Sequence, residues 1–450
     1  MPAAHAERMP LQTRPRWALL LLTATLGAAH AQATPLTLDA ALAQVNRAPQ
    51  AQAAALTLQK AQADLNSAQA ALGLNVAANG SGGYTAAGGL TLTAGVTATL
   101  GVLPWASAQS TLRDAQARLR LAQLSAAETL NATRLNAATT YLNAHLAQLD
   151  LDLAAQTLTL RETQLANVTA QRADGNATQE SVLNATAAVQ TARASVATAT
   201  ATLDAARRSL AATLGTPLDG VTFTSAAPDA SAPGDVDALI ARARSTSSDV
   251  VQAQADVTSA QDALASAQRD RTLPDLNVTA RYGANGGGLS AGLNLKAGTA
   301  SVGYSQPILT SSANSTGSAS GDPSLSVSFS GGVNLFAPAQ DGQIAGARTQ
   351  LAQAQLALSL AGQNLELDVR QKYADALNAA AALTVKTTQL QAAQQALATA
   401  QARADSGLAT PTDVTAAQLA VRQAERDLEA ARVSAYTATL KLQNAAGGPQ

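Results

Sequence analysis

The sequence contains no cysteine in 450 residues. This absence excludes disulfide bonds, thiolate metal sites, a cysteine nucleophile and a lipidated N-terminal cysteine. Aromatic and charged residues are also scarce: Phe, Trp and Tyr make up 2% and charged residues 13%, although 47% of the chain is hydrophobic. Alanine supplies much of that hydrophobic fraction, and alanine fills a compact core poorly because large cores depend on bulkier side chains. The composition instead favours long, closely packed helices.

Two further absences concern charge and hydropathy. The net charge is −1 without a basic patch, which argues against nucleic acid as a partner. After residue 31 there is no run of about 18 apolar residues, the length that a transmembrane helix needs. A shorter apolar run at 17–29 follows three arginines and precedes a small-x-small sequence at 29–31, a pattern typical of a cleaved secretory signal. We therefore expect residues 1–31 to be a signal peptide and the mature chain to be exported.

The mature sequence is internally duplicated. Residues 51–69 align with 250–268 at an offset of 199, and a longer section repeats at an offset of 232. The second alignment includes the pairs Tyr141/Tyr373, Gly175/Gly407 and Pro217/Pro449. Shared Tyr, Gly and Pro positions are harder to produce by chance than matches between alanine-rich helices. We expect a first repeat at 32–217, a linker at 218–235 and a second repeat at 236–450.

Each repeat contains a segment whose hydrophobic period is two. Residues 90–100 and 324–335 alternate apolar residues with Ser, Thr or Asn over about ten positions, the length of a tilted transmembrane strand. We expect β regions at about 73–103 and 275–336. The Gly-rich sequences at 80–83 and 283–288 are interpreted as turns or strand kinks, and residues 311–323 as a loop.

The rest of each repeat has the period of helices. Leucine and isoleucine recur every seven residues, or at alternating spacings of seven, four and three, which predicts coiled-coil seams. The predicted long helices are 106–173, 179–214, 338–404 and 411–446, and shorter helices are predicted at 38–70 and 236–269. A helix of some 68 residues spans about 100 Å. The fold class is therefore long α-helical coiled-coil hairpins combined with the strands of a transmembrane β-barrel, in an internally duplicated protomer.

The two hairpin tips share their local chemistry. Asp174-Gly175-Asn176-Ala177-Thr178 corresponds to Ser406-Gly407-Leu408-Ala409-Thr410. Each glycine can end the first helix in a left-handed conformation, and each threonine can cap the returning helix. Pro411 occupies the favoured first helical position, and Asp413 completes a Thr-x-x-Asp pattern. We expect two tight turns that send the chain back antiparallel.

No constellation of residues points to catalysis. His145 is the one histidine outside the predicted signal, and it lies alone in a predicted helix, so a structural role is favoured over a metal site. The Ser and Thr residues lack a partnering base. The Gly-rich segments are not followed by a helix with a lysine or an acidic partner, which argues against a phosphate loop. Trp105, at a strand-to-helix junction, is either an interfacial anchor or a packing residue. We expect no enzyme activity, cofactor or metal.

The chain resembles the TolC-like outer-membrane efflux protein family. The resemblance rests on the start of the first helix at 36–42, on Leu335-Phe336 with Gly342 and 345–347 at the strand-to-helix junction, on the Gly-x-Ala-Thr tips and on the duplication. It covers residues 36–447. Each motif is weak alone, and their order and spacing together are specific.

The resemblance implies a homotrimer in which each protomer gives four strands to a shared twelve-stranded barrel and its helices to a hollow α-barrel. It implies a location in the outer membrane with extension into the periplasm, and work with a periplasmic adaptor and an inner-membrane transporter in efflux or type I secretion of small molecules or proteins. The residues that would contact the adaptor are Gly175, Ala177, Thr178, Gly407, Leu408, Ala409 and Thr410.

Three points depart from the family's pattern or leave an alternative open. Asp413 matches one position of an aspartate ring at the entrance, but the next expected acidic position is Ala416, so Asp413 is either a gate residue or a helix cap. The second β region is twice as long as the first and could hold a longer loop or an extra hairpin around 289–295 and 301–304. An exported trimeric coiled-coil adhesin or stalk is the alternative function, although it would not need two matched hairpins separated by β segments.

Overall fold

The computed structural model of the protein describes residues 35–85, 89–218, 220–284, 287–311, 322–332 and 337–448. The predicted signal peptide, Leu335-Phe336 and most of the predicted loop at 311–323 lie outside these residues. The first half contains β1 (Pro35–Leu36), α1 (Leu38–Gln44), α2 (Pro49–Ala70), β2 (Asn75–Thr85), β3 (Gly89–Gly101), α3 (Ser107–Ala173) and α4 (Gln179–Leu214).

A linker and a second half with the same plan follow. The linker contains the short strand β4 (Thr222–Phe223). The second half contains α5 (Val236–Thr246), α6 (Ser248–Thr272), β5 (Asp275–Gly283), β6 (Gly288–Asn294), β7 (Thr299–Ser311), β8 (Ser324–Gly332), α7 (Pro338–Asp405) and α8 (Pro411–Ala445). The predicted fold class, long helical hairpins with strands in a duplicated chain, is confirmed.

Two long helical hairpins dominate the molecule. Helices α3 and α7 contain 67 and 68 residues, which corresponds to a length of about 100 Å each. The predicted bounds of all four long helices agree with the structure to within one residue at each end. Among the described residues, no helix is both long and apolar enough to cross a membrane.

The helix predicted at 38–70 is interrupted. It consists of α1, a 3-10 turn at Val45–Arg47 and α2, with Ala48 extended at φ −61° and ψ 145°. The break has a local cause, because Pro49 disfavours the helical conformation in the residue before it and begins a new helix well. The helix predicted at 236–269 is likewise two helices, since extended Ser247 separates α5 from α6 and caps α6 with its side chain.

The six long strands form one antiparallel sheet in the order β2-β3-β7-β6-β5-β8. The expectation of four strands per protomer is therefore wrong for this chain. The hairpin of β6 and β7 is inserted between the β2-β3 pair and the β5-β8 pair, and it occupies the region where the sequence left an extra hairpin open. The glycines at 80–83 lie inside β2 rather than in a turn.

Neighbouring helices define the order across the protomer. Helix α3 packs against α4 and α2 on one side and against α8 and α6 on the other, while α7 packs against α8, α6 and α5. The α4 C-terminus abuts the α2 N-terminus, since a Cβ on Gly215 would lie 3.2 Å from Pro49 Cδ. Helices α2 and α4 therefore form one strut, and α7 and this strut lie at opposite sides of the protomer.

The buried core lies where the linker crosses the helices. The Tyr141 hydroxyl of α3 donates to Leu36 O at 2.7 Å and accepts from Ser225 N at 3.1 Å. The Tyr141 ring meets Phe223 edge-to-face at 5.4 Å. The Gln148 side chain both donates to Phe223 O and accepts from Phe223 N. The linker is thereby fixed to α3 halfway along the long hairpins.

Candidate functional site

The six-stranded sheet has one predominantly apolar face, on which Gln306 of β7 is a polar exception. Cross-strand pairs on this face include Val278 with Phe329 and Leu293, and Val96 with Tyr304. These side chains are exposed in the protomer, Phe329 at 72% and Leu325 at 68%. An exposed apolar surface of this extent is not tolerated in water, and it has the pattern of strands that face lipid.

The opposite face of the sheet is lined by hydroxyl, amide and glycine positions. Thr279 Oγ1 and Ser328 Oγ lie 2.6 Å apart across β5 and β8, and Ser81 Oγ and Thr93 Oγ1 lie 2.7 Å apart across β2 and β3. This alternation continues across the six strands except beside the register shift in β7, where Gln306 lies opposite Ala94 and Ser311 opposite Leu90. The sheet can therefore separate lipid from an aqueous space.

Aromatic residues mark the two ends of the apolar face. Tyr84 and Tyr282 lie on the apolar side toward the end of the sheet that is remote from the helices, whereas Tyr304 lies on the same side near the middle of β7. Trp105 lies at the other end, between β3 and α3, where its Nε1 donates to Leu295 O at 3.2 Å and the Arg269 guanidinium lies 6.0 Å from its ring. Trp105 packs at the junction, and this level is also where membrane interfaces favour aromatic rings.

The inserted hairpin is anchored at that junction. Gly298 at its inner turn has φ +67°, and its carbonyl oxygen accepts from the amides of Val102 and Leu103. Lys296 in the same turn pairs with Asp270 of α6 at 3.9 Å. Pro307 of β7 lies at a register shift against β3, beyond the last β7 residue that pairs with β6. A proline there removes no bond to β6.

Each of the two sides of the protomer exposes apolar helix side chains and an unpaired strand edge. Apart from Leu408 at a tip, the exposed large apolar side chains on the described helices lie on α2, α4 and α7: Leu56, Leu183, Leu356, Leu360, Leu367, Leu377 and Val385. Among the described residues, β2 pairs only with β3 and β8 only with β5. Strand β2 follows α2, and β8 precedes α7. Each free sheet edge therefore continues into one of the outer helical surfaces.

The two hairpin tips have nearly the same backbone. Gly175 and Gly407 have φ of +80° and +70°, and the amide of each following residue donates back to the carbonyl five residues before it, as in a Schellman motif. Thr178 and Thr410 each accept a bond from the amide three residues later, so both predicted N-caps form. Ala177 and Ala409 are half-buried, whereas Leu408 is 73% exposed.

The second tip contains a complete capping box. Asp413 Oδ2 accepts from Thr410 N and from Thr410 Oγ1, both at 2.8 Å, while Asp413 N donates to Thr410 Oγ1. These bonds, the backbone one first, hold the pKa of the Asp413 carboxyl below its ordinary value of 3.8. The geometry thus accounts for Asp413 as a helix cap, and its role as a gate stays a prediction.

A groove lined by both polar and apolar side chains separates the two hairpins near the tips. It has a volume of about 940 Å³ between α3 and α8 and is lined by residues such as Leu160, Thr163 and Gln418. Asn167 Nδ2 donates to Thr412 Oγ1 across it at 3.4 Å. Further from the tips, the Arg426 guanidinium of α8 forms a bidentate ion pair with the Asp150 carboxylate of α3 at 2.6 and 2.8 Å. This ion pair raises the pKa of the guanidinium. The hairpins are tied at mid-length and open toward the tips.

The remaining candidate residues have contacts that fit a structural role. His145 Nδ1 lies 3.3 Å from Phe223 O, beside the Gln148 clamp. In the part of the chain that the structure describes, no group of three His, Asp or Glu residues could hold a metal ion. Sequence reasoning missed Glu429, which is 6% exposed and accepts from Ala227 N at 2.6 Å. No local signal could have found it, because its partner is 202 residues away.

Comparisons with known proteins agree on the fold. A membrane protein from Pseudomonas aeruginosa has a TM-score of 0.66 at 19% identity, covering 91% of this chain and 93% of that one. The outer membrane protein VceC of Vibrio cholerae has a TM-score of 0.64 at 19% identity, covering 91% and 96%. The CmeC outer membrane channel of Campylobacter jejuni has a TM-score of 0.65 at 13% identity, covering 91% and 85%. No curated protein sequence matches the chain.

The fold and the two-faced sheet are those of efflux-type outer-membrane channel proteins. The model of the outer membrane efflux protein family matches residues 239–448, which cover almost all of the second repeat. The second repeat thus matches the outer membrane efflux proteins, and the whole chain has the fold of TolC-like outer-membrane channels, which supports a location in the outer membrane with the helices extending into the periplasm. The fold of this family is that of a channel rather than of an enzyme.

Proposed function

We propose that the chain is the outer-membrane channel of a tripartite efflux or type I secretion system. Three copies close into one conduit, which receives small molecules or proteins from an inner-membrane transporter through a periplasmic adaptor. The two-faced sheet is the observation that carries the proposal. Its apolar face fits outer-membrane lipid, and its hydroxyl-lined face fits a water-filled lumen.

Ring closure follows from the two sides of the protomer. Unpaired strand edges are not stable in lipid, so β2 and β8 need strand partners that one copy does not supply. Strand β2 runs away from the helices and β8 runs toward them, so β8 of one copy can pair antiparallel with β2 of the next. The same contact brings the apolar side of α7 against the α2/α4 strut. This is a head-to-tail interface, which closes a ring when its rotation is right.

Three copies of this protomer would place eighteen strands in the barrel, because each contributes six. The number three comes from the family resemblance, and the strand count per protomer comes from the sheet. Barrel diameter grows with strand number. At a strand spacing of about 4.8 Å and a tilt of about 40°, eighteen strands give a barrel radius of about 18 Å, against about 12 Å for twelve.

The tips are the proposed contact with the adaptor. They form the end of the helices remote from the sheet, and Leu408 is exposed there without a protomer partner that would explain it. The groove between the hairpins gives the tips room to move relative to each other. Opening is then a change in helix packing below the Arg426–Asp150 tie, and the energy must come from the partner transporter.

Planar-bilayer recording of purified oligomer tests the proposal. We expect discrete ion-conducting events from the wild-type protein and capture of the cognate adaptor from membrane extracts. Leu367→Arg places a charge in the proposed α7 interface and should abolish both oligomer and conductance while helix content stays unchanged, because Leu367 is 69% exposed in the protomer.

Leu408→Arg is the matched control, since it makes the same change on a leucine that is 73% exposed at the tip. This variant should keep the oligomer and the conductance and lose the adaptor. A wild-type oligomer without conductance would sink the channel assignment and favour the stalk. An L367R oligomer that still conducts would refute the proposed ring interface.

A further inference from the structure

The two edge strands of the sheet carry its most exposed apolar side chains. Tyr84 on β2 is 75% exposed, and Phe329 and Leu325 on β8 are 72% and 68% exposed. All three lie on the apolar face, and no other large apolar side chain on the described strands is as exposed. The two edges of one protomer therefore leave uncovered the side chains that a second copy, pairing along them, would cover.

A glycine in β2 has no explanation within the protomer. Gly80 lies on the apolar face, where a Cβ would meet only Thr93 O at 3.8 Å, an ordinary contact. Neither crowding nor a left-handed backbone requires glycine there. Glycine weakens a strand, and its presence often marks the close approach of another group. An aromatic side chain on a neighbouring strand covers such an edge glycine, and Phe329 is the exposed aromatic residue of the opposite edge.

The sheet fixes which residues of its two edges lie at the same level. One row of paired residues crosses all six strands on the apolar face: Val327, Ala280, Ala291, Val302, Ala98 and Val76. Val76 of β2 is therefore level with Val327 of β8 on a line perpendicular to the strands. In a flat sheet of repeated copies, Val327 would pair with Val76 of the next copy.

Closure into a barrel replaces this level register with a staggered one. Barrel strands tilt by about 35–45°, and their spacing is about 4.8 Å between strands and about 3.3 Å between residues. The stagger is then about one to one and a half residues per strand, or about six to nine residues over the six strands. The shift must also be even, because an odd shift would place the apolar side chains of one copy beside polar ones of the next. Shifts of six and eight residues meet both conditions.

A shift of six is the one that pairs every residue of β8. It places Ser324 to Gly332 opposite Thr85 to Ala77 of the next copy. A shift of eight places Ser324 and Leu325 beyond the end of β2, and a shift in the opposite sense places β8 beside the end of α2. Backbone groups without partners are costly in lipid, so six is favoured over these alternatives.

Backbone chirality gives the same sense of shift. Leu276 lies on the apolar face of β5, and its carbonyl oxygen accepts from Leu295 N, so it points toward β6. In a strand of L residues that runs upward, the carbonyl of a residue whose side chain faces the viewer points to the right. Seen from the lipid with the helices below, β8 is therefore the left edge and β2 the right edge. Barrel strands coil right-handed, so β8 meets residues of the next β2 that lie further from the helices.

We propose that β8 of one copy pairs with β2 of the next in the register that places Phe329 opposite Gly80. The other pairs of large or glycine residues on the apolar face are then Val327 with Gly82 and Leu325 with Tyr84. The proposal rests on the proposed function, which closes the copies into a ring, and it adds which residues meet. The Phe329 ring covers the glycine-rich part of β2 from the lipid side, where both edges are otherwise exposed.

Disulfide cross-linking tests the register, because the chain has no native cysteine. On the polar face the register places Ser81 opposite Ser328. The Ser81 carbonyl faces β3, so the backbone bonds of this pair point away from the contact and its side chains lie close together. Ser81→Cys is combined in turn with Ser326→Cys, Ser328→Cys or Ser330→Cys, and the full-length protein is oxidised in outer membranes.

The Ser328→Cys combination should give covalent oligomers at least about tenfold faster than the other two. Residues one pair out of register lie about 7–8 Å away, beyond the reach of an unstrained disulfide. Asn79→Cys with Ser330→Cys is the matched control, since it has the proposed register at a second site and shows that a thiol at position 330 can react. Each variant is first shown to form the oligomer in reductant.

The outcomes separate the register from the ring. Faster cross-linking of Ser81→Cys with Ser326→Cys or with Ser330→Cys would refute the register and leave the ring intact. If none of the combinations cross-links in an assembled oligomer, including Asn79→Cys with Ser330→Cys, the two edges do not meet. The ring closure of the proposed function then fails as well.

Discussion

At the scale of single residues, the duplication has produced two tyrosines with different tasks. Tyr141 is fully buried and its hydroxyl joins two backbone segments, at Leu36 and Ser225. Its counterpart Tyr373 is half-buried, and its hydroxyl makes no hydrogen bond within the described part of the chain. Loss of this hydroxyl would leave Ser225 N without its hydrogen bond and Leu36 O with only its longer bonds from Thr224, which is why the hydroxyl stabilises the fold.

The pair gives a matched stability test. Tyr141→Phe should lower the free energy of unfolding by about 1–3 kcal/mol, since it leaves Leu36 O and Ser225 N without this partner in a dry site. Tyr373→Phe, at the duplicated position, should stay within about 0.5 kcal/mol of wild type. Denaturant unfolding in detergent, followed by circular dichroism, measures both. Equal effects of the two changes would contradict the assigned role of the Tyr141 hydroxyl.

The Asp413 carboxyl makes the stability of the second tip depend on pH. Its folded pKa is below the ordinary 3.8, so its bonds to Thr410 stabilise the start of α8 above that pH and are lost as pH falls through the folded pKa. Hydrogen exchange in the first turn of α8 should therefore be protected at neutral pH and speed up, after correction for intrinsic rates, below about pH 3.8. Asp413→Asn should exchange faster at neutral pH and show no such transition. A transition that persists in this variant would show that another group causes it.

Sequence reasoning at this scale found what is encoded locally. The Thr-x-x-Asp pattern predicted the capping box because all of its bonds lie within four residues. The same reasoning could not find the Glu429–Ala227 bond or the Gln148 clamp on Phe223, whose partners are joined only by the folded linker. Long-range polar partners leave no periodic signal in the sequence.

At the scale of elements, periodicity predicted the long helices almost to the residue, because the heptad seams and the Gly and Thr residues at the helix ends both depend on local geometry. The short helices were predicted as continuous, since Pro49 at the first position of α2 and Ser247 before α6 were not recognised as breaks. The strands were predicted by region but not by number. Strand count depends on pairing between β3 and β7, which are about 200 residues apart in sequence.

The tip glycines are a second test at this scale. Gly407 has φ +70° and open space around the position of a Cβ, so Gly407→Ala adds backbone strain without a clash. It should destabilise the second tip by about 1 kcal/mol. Gly362, inside α7 with the same open space, is the control: Gly362→Ala should stabilise the isolated protomer by up to about 1 kcal/mol. Local hydrogen exchange separates the two, and the same sign for both would contradict the left-handed turn.

At the scale of the whole molecule, the sheet is built from two pairs that the duplication explains and one hairpin that it does not. The β2-β3 pair and the β5-β8 pair occupy equivalent positions in the two repeats, each between its short and its long helices. Hairpin β6-β7 is inserted after β5, and its inner turn is fixed to the Trp105 junction. An even number of antiparallel strands can enter a sheet without reversing the direction or the lipid-facing side of any other strand.

The same argument predicts what happens when the hairpin is removed. Deletion of residues 284–311 leaves β5 connected to β8 by the original outer loop and brings β3 beside β5, which runs antiparallel to it. The ring should still close, with four strands per protomer and a barrel radius near 12 Å instead of about 18 Å. Its stability should fall, because the contacts of Leu295, Lys296 and Gly298 at the junction are lost. Electron cryomicroscopy of the oligomer would count the strands, and polymers that enter the wild-type exit from outside should be excluded from the variant. An unchanged barrel diameter would mean that the hairpin is not part of the wall.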